Sequence, residues 1–128
     1  MTIKRISSGS PYEPKIGYCR AVVAGGFVFV AGSTGADPET GVLPEDVRDQ
    51  CRNTLKVIGK ALAEAGASFA DVVRVNYVLP NAADFEPCWP ILSETFAAHP
   101  PAAMMIEAGL INPAMKIEIE VTAKLPDA

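Results

Sequence analysis

The chain of 128 residues holds one histidine, His99, and three cysteines, Cys19, Cys51 and Cys88, with no Cys-x-x-Cys pair. Thiols that are odd in number and widely spaced argue against both a disulfide framework and a zinc site. A lone histidine cannot build a His-rich metal centre, so no metal is expected. A Ser-His-Asp triad would depend on one imidazole beside Pro100 and Pro101, which leaves acid–base chemistry to carboxylates, tyrosine, lysine or bound water. Runs of lysine or arginine are missing too. With 11 basic against 15 acidic residues the net charge is −4, and no electrostatic footprint for nucleic acid is present. No apolar run reaches membrane-spanning length, and the opening Met-Thr-Ile-Lys-Arg-Ile lacks a signal-peptide core. A cytoplasmic protein with no membrane partner is expected. Repeats, linkers and low-complexity segments are also lacking, so residues 1–128 read as a single domain.

What is present is the composition of a globule, 49% apolar and 20% charged. Ile3 to Ile6 reads as a short strand and Ser7 to Pro14 as a turn-rich stretch. Ala21–Ala24 and Phe27–Ala31 flank Gly25-Gly26, a hairpin signal because both glycines accept positive φ. A first helix is expected from Pro44–Asp46, with Val47, Cys51, Leu55, Ile58, Leu62 and Ala65 as its apolar stripe and Gly66 as its stop. Val72–Leu79 is a strand. A second helix follows Asp84, burying Phe85, Cys88 or Trp89, Leu92 and Phe96, with Pro87 and Pro90 confined to its first turn. Met104–Ala108 and Lys116–Val121 are the last strands. This order favours an α+β layer, with two helices on one face of a mostly antiparallel six-stranded sheet. A largely apolar open face on such a sheet is expected to be buried against other subunits.

The last strand is the most informative segment. Its period of two sets Ile117, Ile119 and Val121 on one face and Glu118 and Glu120 on the other. Two readings stand for that pair: a solvated outer face, or carboxylates put to chemical use.

Several segments together resemble the Rid family, the reactive intermediate deaminases also called the YjgF family. They are Ile16-Gly-Tyr-Cys-Arg-Ala21, Phe27-Val-Phe-Val-Ala-Gly32, Asp37-Pro-Glu-Thr-Gly41, Pro101-Ala-Ala103 and Glu118-Ile-Glu120. The resemblance implies a chorismate-mutase-like fold, a homotrimer around a central barrel of three sheets, and clefts between subunits. It also implies hydrolysis of enamines and imines such as 2-aminoacrylate to a carbonyl compound and ammonia, with no cofactor. An imine carbon is already electrophilic, so a site need only hold the substrate, place one water and manage protons. On the same basis Glu118 stands at the position of the water-activating glutamate and Tyr18 at that of a cleft tyrosine. Ala103 stands where the well-studied deaminases carry a carboxylate-gripping arginine. The chain thus resembles an arginine-lacking branch, whose substrate is not expected to be 2-aminoacrylate.

The candidate site residues are therefore Glu118 as catalyst and Tyr18, Arg20, Ser33, Thr34 and Trp89 as substrate contacts. Each has a plainer alternative. Tyr18 could only pack in an interface, and Arg20 could be a structural ion-pair partner rather than a substitute for the missing arginine. Ser33 and Thr34 could cap a strand, and Trp89 could be core. Cys19 reads as structural and His99 as a loop residue. The competing functions are a non-catalytic small-molecule binder using the same cleft and a ribonuclease or translation inhibitor, the latter disfavoured by the acidic balance and lone histidine.

Overall fold

A computed structural model describes residues 2–126. Its elements run β1 (Lys4–Ile6), α1 (Tyr12–Ile16), β2 (Ala21–Ala24), β3 (Phe27–Ser33), α2 (Val47–Ala65), β4 (Val72–Leu79), α3 (Trp89–Phe96), β5 (Ala102–Glu107) and β6 (Glu118–Lys124). The strands form one sheet in the order β1-β2-β3-β6-β4-β5. Neighbours are antiparallel except for β4 and β5, which run parallel through the crossover that contains α3.

α2 forms where the apolar spacing places it. Asp46 caps it by accepting the Arg48 N–H at 2.9 Å, and Gly66 ends it with φ at 86°. Val47, Cys51, Leu55, Ile58 and Leu62 are all buried. They pack on the sheet face that carries Val28, Val30, Val75, Tyr77, Ile119 and Val121. Fully burying each such side chain stabilises by about 1.5–3 kcal/mol. Gln50 is the polar exception inside this core. Its amide donates to the Pro44 and Ala114 carbonyls at 2.8 and 3.0 Å and accepts the Lys116 N–H at 2.8 Å. One satisfied side chain thus ties the loop before α2 to the segment that enters β6.

The structure departs from the sequence expectations in several places, among them β5, which spans Ala102–Glu107 instead of Met104–Ala108. The stretch read as turns up to Pro14 runs into the short helix α1, closed by Gly17 with φ at 94°. The second helix is preceded by 3-10 turns at Ala82–Asp84 and Glu86–Cys88, and α3 proper starts only at Trp89. Pro87 and Pro90 disrupt an earlier start because each lacks an N–H. Here Cys88 is buried while Trp89 is 53% exposed. β6 begins at Glu118 rather than Lys116 and runs on to Lys124. Finally, the open sheet face is mixed rather than largely apolar. Phe27 and Phe29 are exposed at one end, while cross-strand pairing aligns Arg74 with Thr122 and Asn76 with Glu120 further along.

Candidate active site

Glu118 opens β6 opposite Val78, and Glu120 lies two residues on opposite Asn76. Both carboxylates therefore project from the face that the helices leave open. Across β6 runs β3, whose register is irregular between Val30 and Ser33. In that irregularity lies Gly32. A Cβ there would stand 2.1 Å from Glu118 Oε2, so the carboxyl group rests directly on the glycine backbone. Glu118 is half-buried, and its pKa is pushed above the usual glutamate value by burial and then by the neighbouring Glu120 charge. Arg20 opposes that shift. Glu120 itself is exposed and accepts a hydrogen bond from Asn76 Nδ2 at 2.9 Å.

Arg20 reaches this place through the turn that follows α1. The N–H groups of Gly17 and Tyr18 both donate to the Glu13 carbonyl, at 2.9 and 3.0 Å, and the chain reverses toward β2. Arg20 is only 9% exposed. Its Nη1 donates to the Gly32 carbonyl at 3.0 Å and to Ser33 Oγ at 3.1 Å, and its Nη2 donates to Tyr18 Oη at 3.4 Å. The guanidinium carbon stands 5.5 Å from the Tyr18 ring centroid. Ser33 Oγ in turn donates a hydrogen bond to the Ala31 carbonyl at 2.9 Å. Tyr18, Arg20, Gly32, Ser33 and Glu118 thus form one connected cluster within a single chain, and Thr34 follows it half-buried.

The sequence profile of the family described as Endoribonuclease L-PSP matches residues 9–125, a span that contains the whole cluster. The chain belongs to this family, the YjgF or Rid family. It is 36% identical over 107 residues to a RutC family protein of Pyrococcus abyssi, covering 83% of this chain and 84% of that one. It is 31% identical over 123 residues to the 2-iminobutanoate/2-iminopropanoate deaminase of Rattus norvegicus, covering 94% and 90%. Its fold is that of a crystal structure from Mycobacterium tuberculosis, a member of the YjgF/YER057c/UK114 family. The TM-score is 0.88 at 34% identity, covering 97% of this chain and 100% of that one.

Within this Rid fold two candidate positions stand apart from the Glu118 cluster. Ala103 pairs with Val75, whereas Glu118 pairs with Val78. An offset of three along β4 sets them on opposite faces of the sheet. Trp89 lies on the Ala103 side. Its ring meets Phe85 edge-on at 6.2 Å, and Phe85 in turn packs on Tyr77 at 5.2 Å. β5 is exposed along its whole length, with Met104, Met105 and Ile106 each about half exposed. Cys19 is half-buried with its thiol near the Ala21 carbonyl, and His99 is exposed beyond α3. Among the described residues no group of three His, Cys, Asp or Glu is arranged to hold a metal ion. No described helix is long and apolar enough to cross a membrane.

One residue escaped the sequence reading: Glu13, 3% exposed on α1. Ser10-Pro-Tyr-Glu13 has capping-box spacing, but the carboxylate turns instead to Ser8, accepting from its N–H at 3.2 Å and from its hydroxyl.

Proposed function

We propose that this chain is a hydrolytic deaminase of reactive enamines or imines, releasing a carbonyl compound and ammonia from a cleft between the subunits of a homotrimer. The observation that carries the reading is the Glu118 carboxyl seated on Gly32, half-buried, with a raised pKa and a fixed cation nearby. A carboxylate of that kind suits the proton traffic of the reaction. It takes a proton from water as the oxygen attacks the C=N carbon, and returns one to the departing nitrogen. The deaminase name carried by the rat relative supports the same reaction class.

The opposite-face placement supports a composite site. Tyr18, Arg20, Ser33 and Glu118 form one half, and the edge carrying Trp89 and Ala103 forms the other. One pocket can hold both halves only if the second comes from another copy of the chain. The substrate held there is not expected to be 2-aminoacrylate. Ala103 offers no charge, and both terminal nitrogens of Arg20 are already bonded inside the protein. Arg20 lends the site its positive potential.

The missing cation at Ala103 also favours a second reading, a non-catalytic binder of small molecules in the same cleft. A ribonuclease reading has less behind it, with net charge −4 and the single imidazole exposed away from the cluster. The deciding experiment supplies imines in place with an amino-acid oxidase and follows ammonia and carbonyl release. Glu118→Gln should lower the catalysed rate about 10²- to 10⁴-fold while the fold is kept. Near-full activity in that variant would remove Glu118 from the mechanism and leave the binder reading the better one.

A further inference from the structure

Glu13 is the one buried carboxylate among the described residues, and it lies outside the cluster that would perform the chemistry. Burial pushes its pKa up, but the Ser8 and Ser7 hydroxyls, the Ser8 N–H and the Arg20 charge together carry it below the ordinary value of 4.5. It is an ionised group held indoors. Its Oε1 is buried without a hydrogen-bond partner among the described residues, and so is Arg20 Nε. One is an acceptor, the other a donor, and the two charges stand within electrostatic range of each other. The Glu13 carbonyl also closes the turn that delivers Tyr18 and Arg20. Backbone and side chain of the same residue therefore converge on Arg20.

We propose that Glu13 is a positioning residue: it anchors the Arg20 guanidinium, and Arg20 in turn fixes the Gly32–Ser33 bend on which the Glu118 carboxyl rests. The inference deepens the deaminase reading and rests on it for the role of Glu118. Hydrogen bonds join Ser8 to Glu13, and Arg20 to the Gly32–Ser33 bend under the Glu118 carboxyl; Glu13 and Arg20 act on each other through their charges, with no direct ion pair between them among the described residues. Without the Glu13 charge, Arg20, still bonded to Gly32, Ser33 and Tyr18, would shift toward the two carboxylates of β6. The charged groups that bear on Glu118 are Glu120 on its own strand and Arg20 from the segment before β2. β4 presents neutral Val78 and Asn76 to the two carboxylates.

The test follows the Glu118 carboxyl by 13C NMR titration, its signal assigned by loss in Glu118→Gln, in a cycle of Glu13→Gln and Arg20→Gln. Removing Arg20 should move the Glu118 titration upward. Glu13→Gln should move it downward as Arg20 turns toward it, and should do nothing in the Arg20→Gln background. Under the deaminase reading Glu13→Gln should also lower kcat about tenfold with KM nearly kept. If Glu13→Gln lowers only the melting temperature and leaves the Glu118 titration in place, Glu13 is merely a staple of the turn and the proposal fails. It fails equally if the shift is the same in both backgrounds. Should Glu13→Gln not fold, Glu13→Asp keeps the charge at shorter reach and should give a smaller downward shift, again lost without Arg20. The titration needs no turnover, so an inactive wild type would sink the deaminase reading while this inference is still being tested.

Discussion

The two halves of the candidate site are built in opposite ways. Around Glu118 every group is held: Arg20 by Gly32, Ser33 and Tyr18, Ser33 by Ala31, Glu120 by Asn76. Around Ala103 little is held, and β5 presents exposed residues on both faces at the end of the sheet. The held half resembles a finished catalytic apparatus, in which geometry is fixed before any substrate arrives. The exposed half resembles one side of an interface, where apolar side chains stay wet until another surface covers them. The difference teaches that the Glu118 carboxyl is organised inside one chain, whereas under the proposed function the pocket that would confine a substrate is left to be completed.

Short of removing Glu118 or blocking the pocket, perturbing the held half at its floor should have the largest effect. In Gly32→Ala the new methyl occupies the place of the Glu118 carboxyl. The end of that flexible side chain can swing aside, so stability should change by no more than about 1 kcal/mol. Turnover should fall roughly ten- to a hundredfold, because a displacement of about 1 Å is enough to spoil proton transfer. Chemical denaturation and an imine assay on the same sample separate the two. A large stability loss with activity kept would mean that the contact is only packing.

Ala103→Arg probes the other half and should give a smaller effect of opposite sign. A cation on that exposed edge should raise kcat/KM for carboxylate-bearing imines about tenfold and leave neutral imines unchanged. Equal gains on both would point to a packing effect instead of a charge contact.

The smallest expected effect concerns stability. The raised pKa of Glu118 means that burial penalises its ionised form. The penalty is present above the folded-state pKa, is relieved as pH falls through it, and contributes nothing to the pH dependence below the ordinary value of 4.5. Glu118→Gln should therefore be slightly more stable than wild type near neutral pH and match it in acid. Urea midpoints measured across that range check this, and a variant less stable at neutral pH would show that the carboxylate contributes to folding.

Much of this was legible in the sequence because periodicity and turn chemistry agreed. The α2 stripe from Val47 to Leu62, the Gly25-Gly26 turn with φ of 59° and 83°, and the alternation of Ile119 and Val121 with Glu118 and Glu120 all stand as read. The placement of Trp89 was not legible, since two prolines displace the helix start and so rotate which side chain faces inward. Nor was the separation of Ala103 from Glu118, which depends on the pairing register with β4 and not on either strand alone. Glu13 was hidden for a different reason. A buried, ionised glutamate runs against composition rules, and only the fold brings Ser8 and Arg20 to it.

The central claim is that one chain supplies Glu118 and another supplies the Ala103 edge. Subunit mixing tests it most directly. Glu118→Gln disables the first half, and Ala103→Trp, at an exposed position, obstructs the second. Each variant alone should release almost no ammonia from an imine that the wild type hydrolyses. Unfolded together in equal amounts and refolded, they should recover about a quarter of the wild-type rate, the share of sites that pairs two intact halves by random assortment in a closed ring. An inert mixture beside an active wild type, with mixed oligomers verified by mass, would contradict the two-chain site.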